Sequence, residues 1–199
     1  MEMNDAFIFE LHHYRTKKEA GFEGIVGPFG KVLTIRPRDR IFGGKKLPKA
    51  ELRVQGENMP EVRYRSDSLH PLSLENSSLF IDGTQAALDF NRRAFRNKSR
   101  ALKISFRERS YTYTVVRTDR TFVLERSGVN VTLERAETTT GKGVKYVGAA
   151  SDGADAVDLA LAIVLKEVDT LPLTSIGAAS AAVNAVLSPR RPEGGDYSD

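Results

Sequence analysis

An antiparallel β-barrel-like body that encloses or covers one apolar C-terminal helix is the fold this sequence predicts. Three observations carry it. Up to Val147 the chain is a succession of short segments in which apolar and polar residues alternate, separated by brief stretches of turn chemistry. After Gly148 the character changes to a run of helix formers, and between Val157 and Leu165 only Asp158 is charged. The composition, 40% hydrophobic and 28% charged over 199 residues, suffices to bury a real core.

The strand segments come in order. AFIFELHH (6–13) is rich in Phe and Ile. GKVLTIRP (30–37) alternates up to Pro37, AELRVQG (50–56) sets Leu52 and Val54 on one face, and EVRYRSD (61–67) repeats this with Val62 and Tyr64. SSLFIDG and QAALDFNRR follow, then RALKISFRE, in which Leu102, Ile104 and Phe106 share a face. SYTYTVVRTD, RTFVLERSG, VNVTLERAE and GVKYVG complete the meander. FGGKKLPK and ENMPE read as exposed loops, and GIVGPFGK as a glycine turn between strands. Two stretches admit a helix: Thr16–Ala20, and Gln85–Arg96, whose spacing suits either period.

The predicted helix runs from about Asp155 to Thr170, capped by Ser151 or Asp152 with acidic residues at its positive end. Val157, Leu161, Val164, Leu165 and Val168 fall on one side, and Leu159 and Ile163 on the other. A helix apolar all round belongs in a core, and this one is too short for lipid. It can cover the dry faces of the strands from inside. LTSIGAASAAVNAVL (173–187) is a second, softer helix. The reading is a single domain over 1–187 with a disordered tail at 188–199, where Pro, Gly and charge dominate.

A long β-rich body followed by one apolar helix resembles the tubby C-terminal-like superfamily, in its LURP-one-related and phospholipid scramblase-like branch. The stretch Ala101–Val147 and the helix Asp158–Leu165 carry the resemblance. It implies a closed antiparallel barrel of about a dozen strands around the helix. No phosphoinositide motif or scramblase calcium site comes with it, so lipid binding enters by family analogy alone.

Candidate chemistry is sparse. The absence of Cys excludes disulfides, thiolate nucleophiles and Cys-based zinc sites. His12 and His13, neighbours in a strand, point to opposite faces. Glu10 shares a face with His12, so the pair reads either as an acid–base or metal couple or as polar residues of a wet strand. Asp155 and Asp158, one turn apart, are first dipole residues and only then metal ligands. Neither a phosphate-binding glycine loop nor a serine nucleophile elbow is found, and no cofactor or metal is expected.

Charge is the stronger signal. The net charge is +4, yet residues 151–199 hold 3 Lys/Arg against 8 Asp/Glu, leaving the body strongly basic. The densest run spans 91–109. It contains Arg92, Arg93, Arg96, Lys98, Arg100, Lys103, Arg107 and Arg109 against Glu108 alone. These residues read either as a surface that holds phosphates, with Phe95 as an apolar contact, or as a solvated basic hairpin.

The chain thus reads as a non-enzymatic interaction protein whose partner is an anionic membrane surface or another protein. The alternative is a nucleic-acid-associated accessory protein using the 92–109 patch, although no recognition-helix or RNA-binding motif supports it. The opening MEMNDAFIFELHH is no signal peptide, and no run reaches the ~20 apolar residues of a membrane helix. A cytoplasmic location is expected.

Overall fold

The computed structural model describes residues 5–37, 50–67, 72–90, 101–118, 120–136 and 143–174. Twelve strands follow one another in a simple up-and-down path: β1 (Phe7–Arg15), β2 (Glu19–Ile25), β3 (Lys31–Pro37), β4 (Ala50–Gly56), β5 (Met59–Ser66) and β6 (Ser78–Ile81) form the first half. The second half is β7 (Thr84–Asp89), β8 (Leu102–Phe106), β9 (Arg109–Arg117), β10 (Thr121–Arg126), β11 (Val129–Ala136) and β12 (Lys145–Ala150). Each pairs antiparallel with the next, and β12 returns to β1 with Phe7 opposite Ala150 and His12 opposite Lys145. The sheet therefore closes and leaves no edge strand.

Closure explains the alternation. Inward residues such as Leu52, Val54, Val62, Tyr64, Leu102, Ile104, Tyr111 and Tyr113 are buried, while their neighbours in sequence face out. On the outside Glu51 pairs with both Arg53 and Arg65, and Glu61 pairs with Arg63. That arrangement is the reverse of a membrane barrel, whose apolar residues face outward. Among the described residues no helix is long and apolar enough to cross a membrane.

The interior is filled by α1 (Ala156–Leu165), where every residue from Asp158 to Leu165 is buried. The helix packs against β4, β5, β10 and β11. At ~25 cal/mol per Å², burying one Leu or Ile side chain contributes about 1.5–3 kcal/mol, so an all-apolar helix suits this site and no wet one. "Enclosing" is thus the correct half of the fold expectation.

Several local expectations need correction. Thr16–Ala20 is no helix: the Thr16 Oγ accepts N–H bonds from Lys18 and Glu19 in a tight turn, and β2 begins at Glu19. The supposed loop ENMPE shrinks to Glu57 and Asn58, because β5 starts at Met59 and Pro60 sits at the strand's beginning, where proline is tolerated. Of Gln85–Arg96, the described part is strand up to Asp89.

Neither Ser151 nor Asp152 caps α1. Ser151 Oγ accepts the Asn130 N–H, Asp152 accepts that of Ala6, and Asp155 is the cap. The helix also stops at Leu165 rather than Thr170, since Val168 bridges to Leu72 in extended form and Asp169 N–H donates to the Leu72 carbonyl. The glycine turn between β2 and β3 stands, as one 3-10 turn over Gly27–Phe29. FGGKKLPK, the second helix beyond Thr174 and the 188–199 tail lie outside the described residues.

One glycine shows how tightly the wall packs. A Cβ on Gly148 would sit 2.2 Å from the Phe9 ring, which lies across β12 at that point. Only a residue without a side chain admits that ring.

Candidate functional site

Strict alternation of twelve strands sorts the connections between the two ends of the barrel. The end where α1 enters has short links, including residues 57–58, 82–83, 107–108 and 127–128. The end where α1 leaves joins β3 to β4 through 38–49, β5 to β6 through 67–77, β7 to β8 through 90–101, and β11 to β12 through 137–144. Charge follows the same division. By sequence, the six exit-end connections hold 14 Lys/Arg against 5 Asp/Glu, whereas the entry-end links hold Arg107 against five Asp/Glu. Each end also has its own internal anchor.

At the entry end α1 begins with a capping box. The Asp155 carboxylate accepts the N–H groups of Val157 and Asp158, and Asp158 accepts that of Asp155. Asp158 is buried, and Arg126 on β10 grips it with two bonds, Nε to Oδ1 at 2.7 Å and Nη2 to Oδ2 at 2.8 Å. Arg109 at the start of β9 binds Asp155 through a single Nη1–Oδ2 bond. Two strands are thereby tied to the first turn of the helix. The carboxylates are consumed by capping and arginine, which settles their role as structural. Among the described residues no group of three or more His, Asp or Glu is placed to hold a metal ion.

At the exit end the last turn of α1 carries a buried cation. Lys166 Nζ lies 3.2 Å from the centroid of the Phe22 ring, 4.7 Å from that of Tyr146 and 3.1 Å from Glu167 Oε1. The same carboxylate oxygen accepts the Thr34 hydroxyl at 3.1 Å, and Thr34 Oγ accepts the Phe22 N–H at 2.7 Å. Thr34 thus occupies a gap in the β2–β3 ladder and hands it on to the helix. Gly21 is required there, because a Cβ would meet the Thr34 carbonyl oxygen at 1.9 Å. Nothing in the sequence near Lys166 announces this cluster; its aromatic partners come from β2 and β12. Burial pushes the Lys166 amine down to about 8, against the pull of Glu167.

The eight basic residues singled out by sequence divide. Arg92, Arg93, Arg96, Lys98 and Arg100 lie outside the described residues. Lys103 is exposed on the outer face of β8. Arg107, in the β8–β9 turn, stacks its guanidinium 5.1 Å from the Phe106 centroid. Arg109 is half-buried and committed to Asp155, so it serves the fold. His12 and His13 do face opposite ways: His12 Nε2 is 3.4 Å from Glu10, while His13 meets Phe22 edge-on.

Buried tyrosines give the protein an alkaline limit. Burial raises Tyr64 to about 12, and Tyr14 likewise to about 12 with help from Glu19, Glu23 and Glu167. Burial also raises Tyr111 and Tyr113. An acid whose folded pKa is raised stabilises fully below pH 10 and loses that contribution as pH climbs through the folded value. Lys166 acts in the opposite sense over a lower window, since its lowered pKa makes stability rise between pH 8 and 10.5. The denaturant midpoint should therefore rise from pH 8 to 10. Above pH 10 it should fall steeply, with Tyr64 alone accounting for on the order of 2 kcal/mol. A midpoint that declines steadily from pH 8 onward contradicts this.

No family model, no curated protein and no solved structure matches this chain. The architecture, a closed twelve-stranded antiparallel barrel around a C-terminal helix, is therefore established by its own geometry.

Proposed function

We propose that this protein is a non-catalytic interaction module of the tubby-like barrel-plus-helix kind, which docks its helix-exit end onto an anionic membrane surface on the cytoplasmic side. One observation carries the reading: the chain's excess of positive charge is concentrated in connections that all start and finish at that end. A field of one sign attracts an anionic surface from a distance of about a Debye length, ~8 Å at physiological salt.

Two further features favour lipid over nucleic acid. The basic connections interleave apolar residues, Ile41, Phe42 and Leu47 in one and Phe95 in the other. In addition, the sequence continues after Thr174 with thirteen residues, 175–187, that contain no charge. Apolar side chains beside basic ones suit the boundary between headgroups and acyl chains.

The test replaces Arg92, Arg93 and Arg96 with Gln together and measures binding to phosphatidylserine liposomes, single-stranded DNA and duplex DNA at two salt concentrations. Each basic residue near an anionic surface contributes about 1 kcal/mol, so liposome affinity should fall roughly a hundredfold and lose part of its salt dependence. Binding to DNA alone turns the reading to the nucleic-acid alternative. Wild-type protein that ignores all three surfaces, or binding unaffected by the substitutions, overturns it.

A further inference from the structure

The outer wall formed by β12, β1 and β2 differs from the rest of the barrel. Where β3, β4 and β5 present ion pairs, this wall presents Ile8 at 74% exposure, Ile25 at 72% and Ala149 beside Ile8. Among the described residues only four large hydrophobic side chains are exposed, and these two line one groove of about 700 Å³. The groove exists because β1 and β2 part company: their ladder runs from Arg15–Ala20 to His12–Glu23 and pairs no further toward the entry end. Gly24 comes so close to the Glu10 carbonyl oxygen that a Cβ would lie 1.9 Å away. Two exposed isoleucines lining one groove are an interaction patch rather than scatter.

The charges around the patch say what covers it. Glu10 and Glu23 supply two acids, Lys145 and Lys31 two bases, at 2.6 Å and 3.1 Å respectively, and His12 stands between. The rim is balanced, on a molecule whose net charge is +4 and whose two ends carry opposite signs. A partner of one dominant charge gains nothing from such a rim. A surface of the same composition gains on every contact, provided the register brings unlike charges together.

The register does so for one symmetry. A two-fold axis lying between β1 and β2 and parallel to them exchanges the two strands at equal height. His12 is level with Glu23, and two residues nearer the entry end Glu10 is level with Ile25, whose own ladder partner on β3 is Lys31. Across such an axis His12 of one copy faces Glu23 of the other, Glu10 approaches Lys31, and Ile8 and Ile25 of both copies fall within the contact. This is the self-complementarity that an isologous interface demands. We infer that the β12–β1–β2 wall is a homodimer interface, in which a second copy sets its β2 against β1 at equal height.

The inference stands on the wall alone, and its test needs no membrane. Sedimentation velocity on the full chain, from low micromolar to about 300 µM, compares wild type with Glu10→Lys, Lys31→Glu and, as a control on the far wall, Gln85→Lys. All the substituted residues are surface groups, so thermal midpoints should stay near wild type. Wild type should form dimers, the control should match it, and each charge reversal should weaken association by about tenfold or more, since it sets like charges opposite each other twice. An equimolar mixture of Glu10→Lys with Lys31→Glu should recover association, because one of the two contacts is then native and the other is reversed but still attractive. A wild-type chain that remains monomeric, a dimer indifferent to both reversals, or a mixture that fails to recover overturns the inference. None of these outcomes bears on whether the basic end binds anionic lipid.

Discussion

Leu161→Asp is expected to lose most or all of the folded population, a cost of several kcal/mol against a total stability of about 5–15 kcal/mol for a domain of this kind. Leu161 has no exposed surface and lies at the middle of α1, with Leu159 and Ile163 on the opposite face equally buried. A carboxylate there has no cation to meet: Arg126 is held by Asp158 at the entry end, and Lys166 by Glu167 at the exit. It must either stay ionised in an apolar interior or take up a proton at a high free-energy cost. Leu161→Ala separates this effect from packing alone, which should cost about 2–5 kcal/mol through the cavity left behind. The measurement is the denaturant midpoint with near-ultraviolet circular dichroism, which the buried tyrosines make informative. An Asp variant as stable as wild type would mean that the helix is not inside the barrel.

Much of this architecture is legible in the sequence because its signals are one-dimensional. Alternation along Leu102, Ile104 and Phe106 marks a strand with one dry face, and apolarity on every side of residues 159–165 marks a helix that must be surrounded. What escapes such reading depends on neighbours distant in the chain. β2 lacks the β-branched density of its fellows because Gly21 and Gly24 yield space to the Thr34 and Glu10 carbonyls, a need visible only once those strands lie alongside. Ser151 and Asp152 read as caps of α1 because both are good cap residues; the reciprocal bond from Asp158, three residues on, makes Asp155 the cap instead.

The same distinction holds for the functional surface. The basic run 91–109 stands out in sequence, yet its last arginine turns out to be structural, since Asp155 captures Arg109. The concentration of charge at one end follows from strand parity, which sends connections after odd-numbered strands one way and those after even-numbered strands the other. Lys166 and Glu167 look like an ordinary wet helix terminus. Phe22 and Tyr146, from strands far earlier and just before the helix, bury them. The outward isoleucines read as strand residues of no special note until closure assigns them to the outside.

Arg126→Met should destabilise the protein by about 3–5 kcal/mol, the range for breaking a buried ion pair from one side. Met preserves much of the arginine stem's packing, so the loss isolates the guanidinium. Asp158 would remain 1% exposed with only the Asp155 N–H to satisfy it, and the Gly153 carbonyl would lose the 3.2 Å bond from Arg126 Nη2. Adding Asp158→Asn tests that cause. An amide oxygen still accepts the Asp155 N–H and keeps the capping box, while the stranded charge disappears. The double variant should therefore be more stable than Arg126→Met alone, by more than about 1 kcal/mol, a coupling that independent sites do not show. Arg63→Met supplies the contrast. Its partner Glu61 is 35% exposed in the side chain, and so solvated a pair should leave the denaturant midpoint close to wild type. Equal losses at Arg63 and Arg126 would mean that the entry-end network contributes no more than any surface pair. A large loss at Arg126 alone, partly restored by Asn, would identify it as the clamp that holds the first turn of the helix in the barrel.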